Sequence, residues 1–338
     1  MDIGLSVGNG SYSMTEQATS PPPLVSIAIP CHNAERWLQE CLDSALGQTY
    51  RHKEVLVVDD GSTDNSVRVL EKYAGRIRYE TGPNRGANAA RNRLLEMSQG
   101  SWIQYLDADD YLLPEKLSKQ IAFAMSHPDV DIVYSPCVLL LDTGETRPNP
   151  VEDTDPVLSF IRWNFTTHGL LFRRTALTKV GGWKEGQPCC QENELLLRLF
   201  RAEVRFGLVD AYDAVYRFHN ADSVSRRFPE RVIRQRARLI DEFEAMLSQR
   251  NQLSDARRKA VARARFEMAR SMYPADKSLA RELMAKVLVF DPDIRIDSRA
   301  CPRFYRLALK LFGFDAAEGI ASVTRRLRSR RRQTPSSQ

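Results

Sequence analysis

Apolar and polar positions fall into short alternating blocks over the first part of the chain. After Pro21-Pro22-Pro23, a β-branched run from Leu24 to Ile29 closes at Pro30 and reads as a buried strand. Trp37, Leu38, Cys41, Leu42, Ala45 and Leu46 then recur at helical spacing within residues 35–46. Residues 54–58 form a second strand, Thr63-Asp64 opens a helix, 76–80 is a weaker strand and 87–97 a further helix. A fourth run, with apolar residues Trp102, Ile103, Tyr105 and Leu106, stops on Asp107, Asp109 and Asp110. Strands alternating with helices in this way predict a parallel sheet covered on both faces. In such sheets the ligand crevice lies beyond the carboxyl ends of the strands, where Asp59, Asp60, Asp107 and Asp109 stand.

Farther along, 130–141 reads as one or two strands and 143–155 as a polar connector containing prolines. Strands are expected at 167–172, 204–209 and 212–218, with a helix at 192–202. From Pro229 the period becomes helical throughout: 231–249, 254–271, 277–290 and 302–312, broken at Asp291-Pro292 and at Gly313. This half is rich in Arg and Ala and carries no recognisable chemistry. The pattern therefore predicts an α/β fold, a sheet flanked by helices, followed by an all-helical C-terminal region.

Composition changes this picture little. Of the 338 residues, 43% are hydrophobic and 27% charged, as in an ordinary globular protein. The net charge of +6 is matched by six arginines, Arg325, Arg326, Arg328, Arg330, Arg331 and Arg332. The rest is close to neutral, which argues against nucleic-acid binding by the fold as a whole. Six cysteines without a C-x-x-C pair read as reduced, mostly buried thiols of a cytoplasmic protein. No apolar run reaches the length of a membrane span. Residues 1–23 lack an apolar core, so they are read as a disordered leader and not as a secretory signal.

The carboxylates at the end of the fourth run carry the candidate chemistry. Acids this close repel one another, and a hard cation such as Mg²⁺ or Mn²⁺ relieves the repulsion. The competing reading has Asp110 capping the helix that Pro114 opens, with the others solvated.

Four segments in order, V-S-I-A-I-P-C-H-N-A from Val25, V-V-D-D-G-S-T-D-N-S from Val57, N-R-G-A-N-A-A-R-N from Asn84 and Y-L-D-A-D-D from Tyr105, resemble glycosyltransferase family 2. The resemblance covers 24–225 and implies the GT-A fold, with a nucleotide-sugar half at 24–128 and an acceptor half at 129–225. A helical region at 229–320 and a basic tail at 321–338 follow. The implied activity is transfer of a sugar, with inversion, from a nucleotide-sugar donor to a carbohydrate or lipid-linked acceptor in polysaccharide or glycolipid assembly. By the same resemblance Pro30, His32 and Asn33 border the base. Asp60, with Asp59 beside it, recognises an imide of the base, Asp107 contacts the ribose and Asp109 ligates the metal. Arg85 and Arg91 border the donor, and His219, in Y-R-F-H, reaches the diphosphate or metal.

The family's acceptor half carries a Glu-Asp pair opening a helix, its Asp acting as base. Here Gln191-Glu192 stands in that place, a departure at both positions that keeps one carboxylate, on a longer arm. Glu192 is the expected base, and Glu194 and Arg198 a supporting i, i+4 pair. Thr167-His168-Gly169 and Trp183 fall where the family borders the acceptor; Trp183 is either a sugar platform or core. The altered pair also admits a competing reading, a nucleotide-sugar-binding scaffold without activity. The arginine tail is read as a solvated charge run or as a peripheral contact with the inner face of a membrane.

Overall fold

The computed structural model describes residues 21–218, 228–296 and 300–333, with side chains as far as Val323. Strands β1 (Val25–Cys31), β2 (Lys53–Asp60), β3 (Arg78–Gly82) and β4 (Trp102–Tyr105) pair in parallel in the order β4-β1-β2-β3. Helices α1 (Leu38–Leu46), α2 (Ser66–Lys72) and α3 (Ala87–Met97) connect them. The register sets Cys31 opposite Asp59 and Ala28 opposite Tyr105, so both acidic segments emerge at one edge of the sheet.

The sheet is mixed, not wholly parallel. After β5 (Tyr111–Leu112) and α4 (Lys116–Ser126), the chain lays down β6 (Ile132–Tyr134), leaves the sheet and returns through a 3₁₀ turn, Thr167–Gly169. It re-enters as β9 (Leu170–Arg173), antiparallel to both β4 and β6. With β10 (Phe206–Leu208) the order becomes β10-β6-β9-β4-β1-β2-β3. The expected strand at 167–172 thus begins as a turn. That turn carries two polar side chains to the edge where the acids emerge.

The excursion builds a second sheet, ordered β5-β11-β7-β8, from β7 (Cys137–Leu141), β8 (Thr146–Asn149) and β11 (Ala214–Phe218). The expected connector at 143–155 therefore contains a strand. Pro148 is tolerated there because β8 is an edge. Helix α5 (Pro156–Arg162), capped by the Asp155 carboxylate on the Val157 amide, and α6 (Arg174–Lys179) were too short to show a period.

Helix α7 (Gln191–Arg201) precedes the helical region of α8 (Pro229–Gln249), α9 (Asp255–Met272), α10 (Lys277–Phe290) and α11 (Arg303–Gln333). The first three match their expected spans to within two residues. The last does not stop at Gly313: that residue, at φ +78°, kinks the helix, and the backbone is helical again as far as Gln333. Phe160 of α5 and Phe200 of α7 meet Phe243 of α8 with ring centroids 4.2 and 5.1 Å apart. The helical region therefore shares one core with a face of the large sheet.

Candidate active site

At the carboxyl edge of β1, β2 and β4 lies a cleft of about 830 Å³, and Pro30, His32, Asn33, Asp60, Arg91, Asp107 and Asp109 all line it. Asp59 is not among the lining residues: it is buried beside Asp60, with Oδ2 accepting from the Ser62 amide at 3.3 Å and Oδ1 without a partner. Arg85 is exposed and pairs at 3.6 Å with Glu185, on the segment leading to α7. His219 lies outside the described residues.

One wall is tied together through backbone groups. The Asp60 carboxylate accepts from the amides of Arg85 and Gly86 at 2.6 and 2.8 Å, fixing the loop that opens α3. The His32 ring meets the Asp60 carbonyl at 2.9 Å, and Asn33 Oδ1 accepts from the Thr63 amide at 2.7 Å. Gly61 permits the close approach, since a Cβ there would fall 2.6 Å from the Asn84 nitrogen. Three loops are locked into one surface as a result.

The other wall is organised by the buried side chain of Arg91. Its Nη2 donates to Asp107 at 2.7 Å and stands 3.9 Å from Glu192. Its Nη1 donates to Gln191 Oε1 at 2.8 Å, and the guanidinium lies 4.6 Å from the centre of the Trp183 ring. Burial works against this charge, but Asp107 and Glu192 outweigh it and hold Arg91 more firmly protonated than usual. Trp183 is 3% exposed and meets Tyr105 edge-on, so it belongs to the core and offers no face to a sugar.

Glu192 stands beside the cleft with Arg91 between. Its Oε1 accepts from the Thr167 hydroxyl at 2.8 Å. Cys190, just before α7, takes a left-handed φ of +55°, a conformation that costs energy in a residue with a side chain. The Glu194–Arg198 pair is present, with Nη2 to Oε2 at 2.8 Å, and supports the same helix.

Asp110 does not cap a helix. It is buried; Oδ1 accepts from the Arg217 amide at 2.8 Å and Oδ2 lies 2.9 Å from His168 Nδ1. Burial opposes a charge on His168, but Asp110 prevails and pushes the imidazole up to about 10. Burial likewise pushes Asp110 up to about 6 against the pull of His168. This internal pair links the acidic segment to the turn bearing Thr167.

A second buried group was missed in the sequence. Lys116 of α4 is 1% exposed and donates to the side-chain oxygens of Gln104 and Gln120. Gln104 and Gln120 donate in turn to the carbonyls of His168 and Gly169, at 3.1 and 3.0 Å. Gln104 is the readable signal, a polar residue inside an otherwise apolar strand that must find partners.

Among the described residues no group of three or more His, Cys, Asp or Glu gathers closely enough to hold a metal by itself. Asp109 and Asp107 do supply hard oxygens to the cleft, and Asp107 keeps 29% of its side chain exposed. One or two carboxylates completed by substrate phosphates is a usual manner of holding Mg²⁺, and these residues fit it.

Residues 26–181 match the model of glycosyl transferase family 2. The chain is 45% identical over 116 residues to a chondroitin synthase of Pasteurella multocida, a stretch covering 33% of this chain and 12% of that one. It spans less than half the length of the curated relatives it matches, with shares of 44%, 31% and 12%. Residues 1–349 of S. aureus TarS, solved in complex with UDP-GlcNAc, superpose with a TM-score of 0.59 at 19% identity, covering 89% of this chain and 91% of that one. A Pyrobaculum calidifontis mannosyltransferase, solved with GDP-Man and Mn²⁺, gives 0.51 at 17% identity over 87% and 88%. The fold is of the GT-A type, and residues 26–181 are similar to glycosyl transferase family 2.

Proposed function

We propose that the protein transfers a sugar from a nucleoside-diphosphate sugar to an acceptor hydroxyl with inversion, in the assembly of a polysaccharide or glycolipid. The observation that carries this reading is Arg91, one buried cation shared between Asp107 of the donor cleft and the Gln191-Glu192 pair beside it. A scaffold would need no such connection between the two sides.

In this reading Pro30, His32 and Asn33 enclose the base. Asp60 binds it with lone pairs left over from the Arg85 and Gly86 amides, a carboxylate having about four acceptor sites. Asp107, steadied on one oxygen by Arg91, presents the other to the ribose, and Arg85 and His219 lie toward the diphosphate. Asp109, with Asp107 near it, would hold a divalent cation, which when bound neutralises charge on the departing diphosphate.

Glu192 takes the proton from the acceptor hydroxyl as that oxygen attacks the anomeric carbon from the side opposite the diphosphate. Thr167 occupies Oε1, which leaves Oε2 for the incoming hydroxyl. Gln191 has a physical role in this arrangement. As a neutral amide it accepts from Arg91 without drawing the guanidinium's charge away from Asp107 and Glu192. A lipid-linked acceptor would bring the enzyme to a membrane surface.

The test is release of nucleoside diphosphate from a panel of uridine- and guanosine-diphosphate sugars, with Mg²⁺ or Mn²⁺ and with carbohydrate acceptors. Release that depends on acceptor supports transfer. Tight donor binding without turnover under any of these conditions would instead favour the scaffold.

A further inference from the structure

Helix α11 is apolar on two sides. Its inner side, with Tyr305, Ala308 and Leu309 at 5%, 5% and 4% exposure, packs into the shared core. Phe304, Leu307 and Leu311, at i, i+3 and i+7, form a second stripe that is 70%, 55% and 64% exposed, and Phe312 beside the kink is 65% exposed. A surface helix of a globular protein ordinarily turns polar residues outward, so this stripe calls for an occupant.

The charges around it say which. Arg303 and Lys310 stand four residues before and three after Leu307 and are exposed. The acids of the same stretch are both engaged toward the body: Asp315 with Arg281 at 3.1 Å, and Glu318, fully buried, with Arg270 at 2.6 Å. Beyond the kink Val323 is 57% exposed, and the helical backbone then passes through the six arginines of 325–332. An exposed apolar stripe flanked by cations complements an anionic lipid surface, where the apolar side chains enter the acyl boundary and the cations meet headgroups. A second copy of the chain would bring two such basic segments together and is disfavoured by their repulsion.

We infer that α11 docks the protein peripherally on anionic membrane lipid, through Phe304, Leu307, Leu311 and Phe312 and the basic segment that follows. This inference does not depend on the reading of the active site.

The full chain is sedimented with vesicles of phosphatidylcholine alone and of phosphatidylcholine mixed with phosphatidylglycerol, at low and high salt. Binding should require the anionic lipid and weaken as salt rises. Leu307→Glu combined with Leu311→Glu should weaken it at least tenfold with an unchanged thermal midpoint, because both side chains already face water. Phe304→Ser alone serves as a milder variant should the pair unfold. Equal binding by wild type and these folded variants would overturn the inference, as would equal binding to both vesicles. So would a concentration-dependent dimer, seen by ultracentrifugation without lipid and abolished by the same substitutions, since a second copy would then cover the stripe.

Discussion

The two walls of the cleft are held by different kinds of bond, and the difference decides how each responds to change. On the side of Asp60, that residue and Asn33 bind backbone amides of neighbouring loops, so that wall is a property of the main chain. On the side of Glu192, position depends on side chains from distant parts of the sequence: Arg91 of α3, Thr167 of the 3₁₀ turn and the pair opening α7. The first wall should tolerate substitutions nearby, while the second should lose function with each contact removed.

The largest effects lie where the walls meet. Asp109→Asn should remove most activity while the fold survives, and excess chelator should abolish turnover in the wild type; full turnover in chelator would exclude the metal role. Glu192→Gln should lower kcat by roughly a hundredfold or more, with donor affinity by calorimetry nearly unchanged. Glu194→Gln is the control: it disturbs the pair with Arg198 and should affect thermal stability more than kcat. A larger kcat loss in the control would mean that Glu192 is not the base.

Arg91→Lys tests whether the walls are coupled. A single ammonium cannot serve Asp107 and Gln191 with the two separate nitrogens the guanidinium uses. Donor affinity and kcat should fall together, by roughly tenfold or more. A fall in one alone would show that Arg91 belongs to one wall only.

The same contrast explains what could be read in the sequence. The wall of Asp60 was legible because strand, turn and acid are contiguous there: V-V-D-D-G-S carries the strand, the residues at its end and the glycine that lets the next loop approach. The Gln191-Glu192 pair could be placed only by its neighbours, and its partners Arg91 and Thr167 stand 100 and 25 residues away. Nothing local marks Thr167 as a ligand of Glu192, because the turn that delivers it exists only once β9 returns antiparallel. The second sheet was hidden for a similar reason. Its strands are short, and β8, with Thr146, Arg147, Pro148 and Asn149, has no apolar face to announce it.

A smaller effect is expected at Thr167. Its hydroxyl fixes one oxygen of Glu192, and a hydrogen bond to a charged group is worth about 1.5 kcal/mol or somewhat more. Thr167→Val should lower kcat by roughly tenfold with donor affinity kept, and Thr167→Ser should restore most of it. If the valine variant turns over normally, Glu192 is oriented by Arg91 alone.

The smallest effect on catalysis, and the most telling about how the second wall is supported, belongs to Lys116. It touches neither substrate nor Glu192, yet with Gln104 and Gln120 it fastens the turn that carries Thr167. Burial pushes its ammonium from the ordinary 10.5 down to about 7, against a weaker pull from Asp213. The unfolded chain therefore binds the proton more tightly than the folded one between those two values. Below about pH 7 both states are protonated and the cost of burying the charge is fully present. As pH rises through the window that cost is relieved, so stability increases, by at most about 1.4 kcal/mol per pH unit. Lys116→Met keeps the length of the side chain and removes the titration. Denaturation midpoints between about pH 7 and pH 9 should then move in favour of the wild type relative to the variant, with kcat altered about twofold or less, since Gln104 and Gln120 still reach the turn. A gap between the two proteins that stays constant over that range would mean the ammonium keeps its proton, held by the two amide oxygens it donates to, and that the turn is braced by a permanent charge.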